Sequence, residues 1–168
     1  KFICYSHNGN EKESLKHIEL MKEAQINSIN LRKNRLTEIE YNNQINTTNF
    51  TNETFLIWHD ILFANYDEAA SKLDKFENTS QSISRPDKLH NFYVLSAMLQ
   101  LKLNNADKSI EFFNKTNKFY GYGDQIPLND DYYTYYKGLA LKASGDTEGS
   151  KKLFEEISSK NFYGIQPA

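Results

Sequence analysis

The chain has 168 residues, enough for a core that needs no disulfide or metal staple, and its lone cysteine, Cys4, excludes an intrachain disulfide and any multi-cysteine metal site. A net charge of −2, with acids and bases mixed along the chain, argues against a general binder of phosphate backbones, which needs a basic face. No apolar run approaches the ~20 residues of a membrane span.

The chain opens with Lys1-Phe2-Ile3-Cys4-Tyr5-Ser6, which reads either as the end of a secretory signal or as a helix end from an earlier half-repeat. The first reading implies a periplasmic or exported protein, the second a cytoplasmic one. With no Met at position 1, the chain is expected to be a fragment of a longer protein. Gly9-Asn10 followed by Glu11 and Glu13 is a sound helix start, and Leu15, Ile18 and Met21 follow at helical spacing, so a helix is expected over 10–26. A second, polar helix is expected over 28–41. Its basic cluster, Arg32, Lys33 and Arg35, reads as a solvated face.

Residues 42–52 are nearly all Asn, Gln and Thr, whose side chains compete with helix hydrogen bonds, so a mobile linker is expected there. It would divide an N-terminal helical segment, 1–41, from a separable remainder, 53–168. Three Asn-x-Thr triplets, beginning at Asn46, Asn49 and Asn52, are read as products of this composition rather than as glycosylation sites.

Further helices are expected over 53–64, 67–77, 87–103, 107–119, 130–143 and 147–159. Ser/Asn-rich and Gly/Pro-bearing loops are expected at 78–86 and 120–128. No segment alternates like a strand, so the fold class is all-α. One figure recurs in this stretch: a polar turn, a small residue, then a bulky apolar residue four places on. It runs Asn65-Tyr66-Asp67 with Ala69 and Leu73, then Asn104-Asn105 with Ser109 and Phe113, then Gly145-Asp146 with Ser150 and Phe154. The copies start 40 and 41 residues apart, a period that signals stacked repeats. Gly9 to Ser14 echoes the same figure.

This pattern resembles the tetratricopeptide repeat. The match is carried by Ala97 or Gly138 where the first helix of a hairpin is crossed, by Ala69, Ser109 or Ser150 in the second, and by Phe113 and Phe154 at the family's aromatic position. It covers about residues 53–160 as three hairpins, with the first helical segment as the remainder of a fourth. The departures are the longer period and Ile57 where a small residue is expected. The resemblance implies a right-handed stack of antiparallel hairpins, an α-solenoid whose concave face is lined by first helices. The corresponding positions are Trp58, Ile61 and Leu62, then Asn91, Val94, Met98, Leu101 and Lys102, then Tyr132, Tyr135, Leu139 and Lys142. From these, Trp58, Asn91, Met98, Lys102, Tyr132, Tyr135 and Lys142 are the candidate partner-binding residues. Of the Lys, Arg and Asn residues with which one subfamily clamps a peptide carboxylate, only Asn91, Lys102 and Lys142 have counterparts.

The expected function is therefore a non-catalytic interaction module for a protein or peptide, with no cofactor and no metal. An alternative is a sensor domain enclosing a small ligand. A remote one rests on His59-Asp60, which is similar to the metal-binding pair of the HD phosphohydrolases. Their further partners would be His17, His90, Asp130 or Asp131, and no second spacing fits. There is no nucleophile elbow, phosphate loop or zinc motif, and Gly121-Tyr122-Gly123 reads as a turn. Tyr120, Tyr122, Tyr132, Tyr133, Tyr135 and Tyr136 are more than one helix face can bury.

Overall fold

The structure is a computed structural model that describes residues 2–82, 86–116 and 130–159, with the backbone alone at 78–82, 86–88 and 130. Among the described residues it is all-α. The helices are α1 (Phe2–His7), α2 (Glu11–Leu31), α3 (Glu38–Leu62), α4 (Tyr66–Ser82), α5 (Pro86–Lys102), α6 (Ala106–Lys115), α7 (Asp130–Ser144) and α8 (Thr147–Ser158), with one 3-10 turn at Lys33–Arg35. The chain forms two compact units, Lys1–Lys72 and Leu73–Ala168, divided within α4.

Four turns share one geometry. Gly9, Ala64, Asn104 and Gly145 have φ of 69°, 62°, 62° and 93°. The N–H of the following residue then reaches the carbonyl five places back, Asn10 to Tyr5, Asn65 to Asp60, Asn105 to Gln100 and Asp146 to Leu141, at 2.8–2.9 Å. This left-handed closure satisfies carbonyls that the ended helix leaves open. The same residue's carbonyl accepts the first bond of the next helix, from the N–H groups of Ser14, Ala69, Ser109 and Ser150. Those four are the small residues of the recurring figure, and all four are buried. The turn at Gly9 thus belongs to the same series as the three later ones.

Small side chains at this place let the paired helices cross closely. The Ser109 hydroxyl donates to the carbonyl of Ala97 at 2.8 Å, tying α6 to the α5 backbone. In α7, a Cβ on Gly138 would stand 2.7 Å from Phe154 Cε1, so the α8 aromatic rests on bare backbone. In the first unit, α1 packs on α2 and α2 on α3. Phe2 meets Phe55 and Trp58 edge-on at 5.4 and 5.3 Å, over a core that includes Ile18, Ile57 and Ile61. In the second unit, α5 packs on α6, α6 on α7 and α7 on α8, with α5 also touching α7. Val94, Leu95, Met98, Phe113, Tyr133 and Ala140 are buried there.

Three expectations are corrected. The linker over 42–52 does not form: α3 runs unbroken from Glu38 to Leu62, so no mobile joint separates residue 41 from residue 53. The helix over 28–41 is not a single helix. Residues 28–31 end α2, the chain reverses through Lys33–Arg35, and α3 begins at Glu38. The loop at 78–86 is helical as far as Ser82. Loop 120–128 and the C-terminal residues 160–168 lie outside the described residues.

The physical reason for the long α3 is its start and its neighbour. Thr37 and Glu40 form a capping box: the Glu40 N–H donates to Thr37 Oγ1 at 3.3 Å, and the Thr37 N–H donates to the Glu40 carboxylate at 2.8 Å. Packing on α2 then helps to bury Thr48 and Asn52, and Phe50 is buried as well, which overrides weak intrinsic propensity. The backbone and hydroxyl bonds from Thr37 hold the Glu40 carboxyl below its ordinary pKa. A depressed folded-state pKa adds stability above the unfolded value, and that gain is lost as pH falls through the folded one.

Two measurements check this account. Thr37→Ala lowers the urea midpoint at neutral pH, and the gap to the parent protein narrows as the pH falls through the Glu40 titration, leaving the part due to the lost bond from the Glu40 N–H to the Thr37 hydroxyl. At the repeated turn, Gly145→Ala forces a Cβ into the left-handed region and costs roughly 1–2 kcal/mol. Ala64→Gly relieves the same strain and raises stability by about 0.5–1 kcal/mol after the entropy of the unfolded chain is counted.

Candidate partner-binding face

Asn91, Val94, Met98, Leu101 and Lys102 recur at three- and four-residue steps on α5, and Tyr132, Tyr135, Leu139 and Lys142 do so on α7. Each set therefore follows one helix face. Because α5 touches α7, first helices of successive hairpins are neighbours within the second unit. Small residues at the crossings seat α6 against α5 and α8 against α7.

The residues fall at different depths. Lys102 and Lys142 are exposed, and Asn91, Leu101, Tyr132 and Leu139 are half-buried. Tyr135 stays 42 % exposed although its ring meets Tyr136 edge-on at 5.3 Å and lies 6.0 Å from Phe154. Val94 and Met98 are fully buried. Met98 is therefore a packing residue, because α5 has α6 on one side and α7 on another. Trp58 is also fully buried, in the first unit, with the Phe2 ring of α1 against it. Trp58 and Met98 are too deeply buried to be candidate contacts, which leaves Asn91, Lys102, Tyr132, Tyr135 and Lys142 of the expected set.

The tyrosines of α7 divide the same way. Tyr133 and Tyr136 are buried. The Tyr133 hydroxyl donates to the Phe113 carbonyl at 3.3 Å and accepts from Lys137 Nζ at 3.1 Å, while its ring stands edge-on to Phe113 at 5.5 Å. Half of the pairs Tyr132-Tyr133 and Tyr135-Tyr136 thus anchors α7, and the other half lies toward the surface. Tyr120 and Tyr122 lie outside the described residues.

His59 and Asp60 are each engaged within the first unit. Both are buried near the end of α3. His59 Nε2 is 3.4 Å from the Glu11 carbonyl at the start of α2, and its ring lies 4.7 Å from that of Phe63. Asp60 is salt-bridged to Lys72 of α4. His17 stacks on Tyr5 at 4.9 Å, and His90 of the second unit lies 6.2 Å from the Tyr133 ring. Among the described residues no group of three or more His, Cys, Asp or Glu is placed to hold a metal ion. None of their helices is long and apolar enough to cross a membrane.

Compared with family models, with curated proteins and with solved structures, the chain matches none.

Paired substitutions separate core from face. Met98→Ala leaves a cavity and costs about 2–5 kcal/mol in denaturant unfolding. Tyr135→Ala, at a partly exposed site, stays nearer about 0.5–1.5 kcal/mol, the range of its lost ring contacts.

Proposed function

We propose that this chain is a non-catalytic interaction module of tetratricopeptide-like helix hairpins that binds a protein segment, helical or extended, across the face shared by α5 and α7. On this reading the hairpins stack right-handedly and the first helices line the concave side. The four turns of one geometry, each followed by a buried small residue, support the hairpin-repeat architecture. The position of Tyr135 carries the functional reading. Its ring is braced by Tyr136 and Phe154 and still open on one side, so it offers a large contact area whose ordering entropy is already spent. Tyr132 and Leu139 lie on the same face of α7 as Tyr135, with Lys142 further along it, and Asn91 and Lys102 are the polar members of the α5 set. Polar groups together with aromatic anchors are how peptide-binding grooves combine affinity with register.

Selection of a displayed random-peptide library on the full chain, followed by fluorescence anisotropy with the enriched peptides, tests the assignment. Tyr135→Ala weakens binding tenfold or more, as loss of an aromatic anchor does. Lys142→Glu changes the affinity in the direction set by the peptide's charge. A library that yields no binder, or binders indifferent to Tyr132 and Tyr135, removes this face as the site.

A further inference from the structure

The turn from α2 into α3 carries the two most exposed large apolar side chains among the described residues, Leu31 at 88 % and Ile39 at 74 %. Between them in the chain lie three exposed cations, Arg32, Lys33 and Arg35. Residues 24–37 contain no Asp or Glu, although acids outnumber bases in the whole chain by 22 to 20. The positive charge is therefore local and set against the sign of the protein. Of the acids that follow, Glu40 is engaged by Thr37 in the capping box and Glu38 is exposed beside Ile39, and none of the three cations is paired with a carboxylate among the described residues.

The turn is also held in shape. The Tyr41 hydroxyl donates to Asn30 Oδ1 at 2.9 Å, and Lys33 Nζ lies 5.0 Å from the centre of the Tyr41 ring. Arg32 Nε donates to the Ser28 carbonyl at 3.1 Å, and its Nη2 to Gln44 Oε1 at 3.4 Å. Leu31 and Ile39 thus protrude from a braced turn.

Two exposed apolar side chains and three cations do not make a protein interface, which buries roughly 800 Å² on each side. They do suit the boundary of a lipid bilayer. There a few apolar groups reach the acyl region, cations meet anionic headgroups, and neither element anchors strongly alone. We propose that the α2–α3 turn is a peripheral membrane contact, placing Leu31 and Ile39 at the acyl boundary of an anionic phospholipid surface while Arg32, Lys33 and Arg35 engage headgroup phosphates. The contact is reversible and weakens with salt, because the charges act through water. It uses the first unit and is independent of the α5–α7 face.

Sedimentation of the full chain with vesicles tests it, using phosphatidylcholine alone and phosphatidylcholine containing about one third phosphatidylserine. The chain sediments with the anionic vesicles, less with the neutral ones, and is released by raised salt. The pair Leu31→Asp and Ile39→Asp lowers the partition coefficient on the order of tenfold or more. Lys33→Glu and Arg35→Glu each lower it by about fivefold or more. All four positions are exposed, so an unchanged helical circular-dichroism spectrum confirms that the variants fold. A chain that stays in solution with the anionic vesicles overturns the proposal. So does binding that is unchanged in the Leu31 and Ile39 variants, since that would place the contact elsewhere on the protein.

Discussion

The close crossing of paired helices behind a left-handed turn is the constraint on which the hairpins depend. A helix that ends must satisfy its last carbonyls, and here it does so with one residue at positive φ and a bond from the next N–H. That closure aims the following helix back along the one just finished. The residue whose N–H makes the first bond of the new helix then faces the old one at short range, and only Ser or Ala stands there. Turn geometry and side-chain size are thus two halves of one requirement. The Ser109 bond to the Ala97 carbonyl and the rest of Phe154 on Gly138 show its consequences in two hairpins.

Once the hairpins are this tight, the fate of the aromatic side chains follows. On α7 one tyrosine of each adjacent pair enters the core, where Tyr133 finds the Phe113 carbonyl for its hydroxyl. The other cannot follow it, because neighbouring residues on a helix point about 100° apart. Tyr135 is left braced and partly open, and Tyr132 half-covered. Two tyrosines toward the surface of α7 thus result from placing four within five residues of one helix.

The first unit uses the same turn but longer helices. The interval from Gly9 to Ala64 is 55 residues, against 40 and 41 for the later turns, and the excess lies in α2 and α3. Their packing surface is largely polar toward the far end, where Gln44, Thr47 and Thr48 share a shallow cleft with Gln25 and Ser28 of α2 and with Arg32 just past its end. Hydrogen bonds such as Arg32 to Gln44 and Tyr41 to Asn30 support that end, while apolar burial is concentrated around Ile18, Phe55 and Trp58. With the turn already braced by polar contacts, Leu31 and Ile39 are not needed for its core.

What the sequence by itself determined is the local grammar. The helical class, the turns at Asn104 and Gly145, the small residues at 69, 109 and 150 and the echo at Ser14 are all legible, because turn chemistry and helical period act over a few residues. The start of α3 has a local signal too, Thr37 and Glu40 at capping-box spacing, but the Asn- and Thr-rich run after them disfavours helix by itself. Only the tertiary structure decided the rest. Residues 42–52 are helical because α2 lies against them, and no property of Asn or Thr foretells a neighbour. Trp58 and Met98 share a periodicity with exposed residues, and burial separates them because the covering groups, Phe2 of α1 for one and the adjoining helices of the second unit for the other, come from elsewhere in the chain. Period tells which side chains share a face, whereas depth depends on what that face meets.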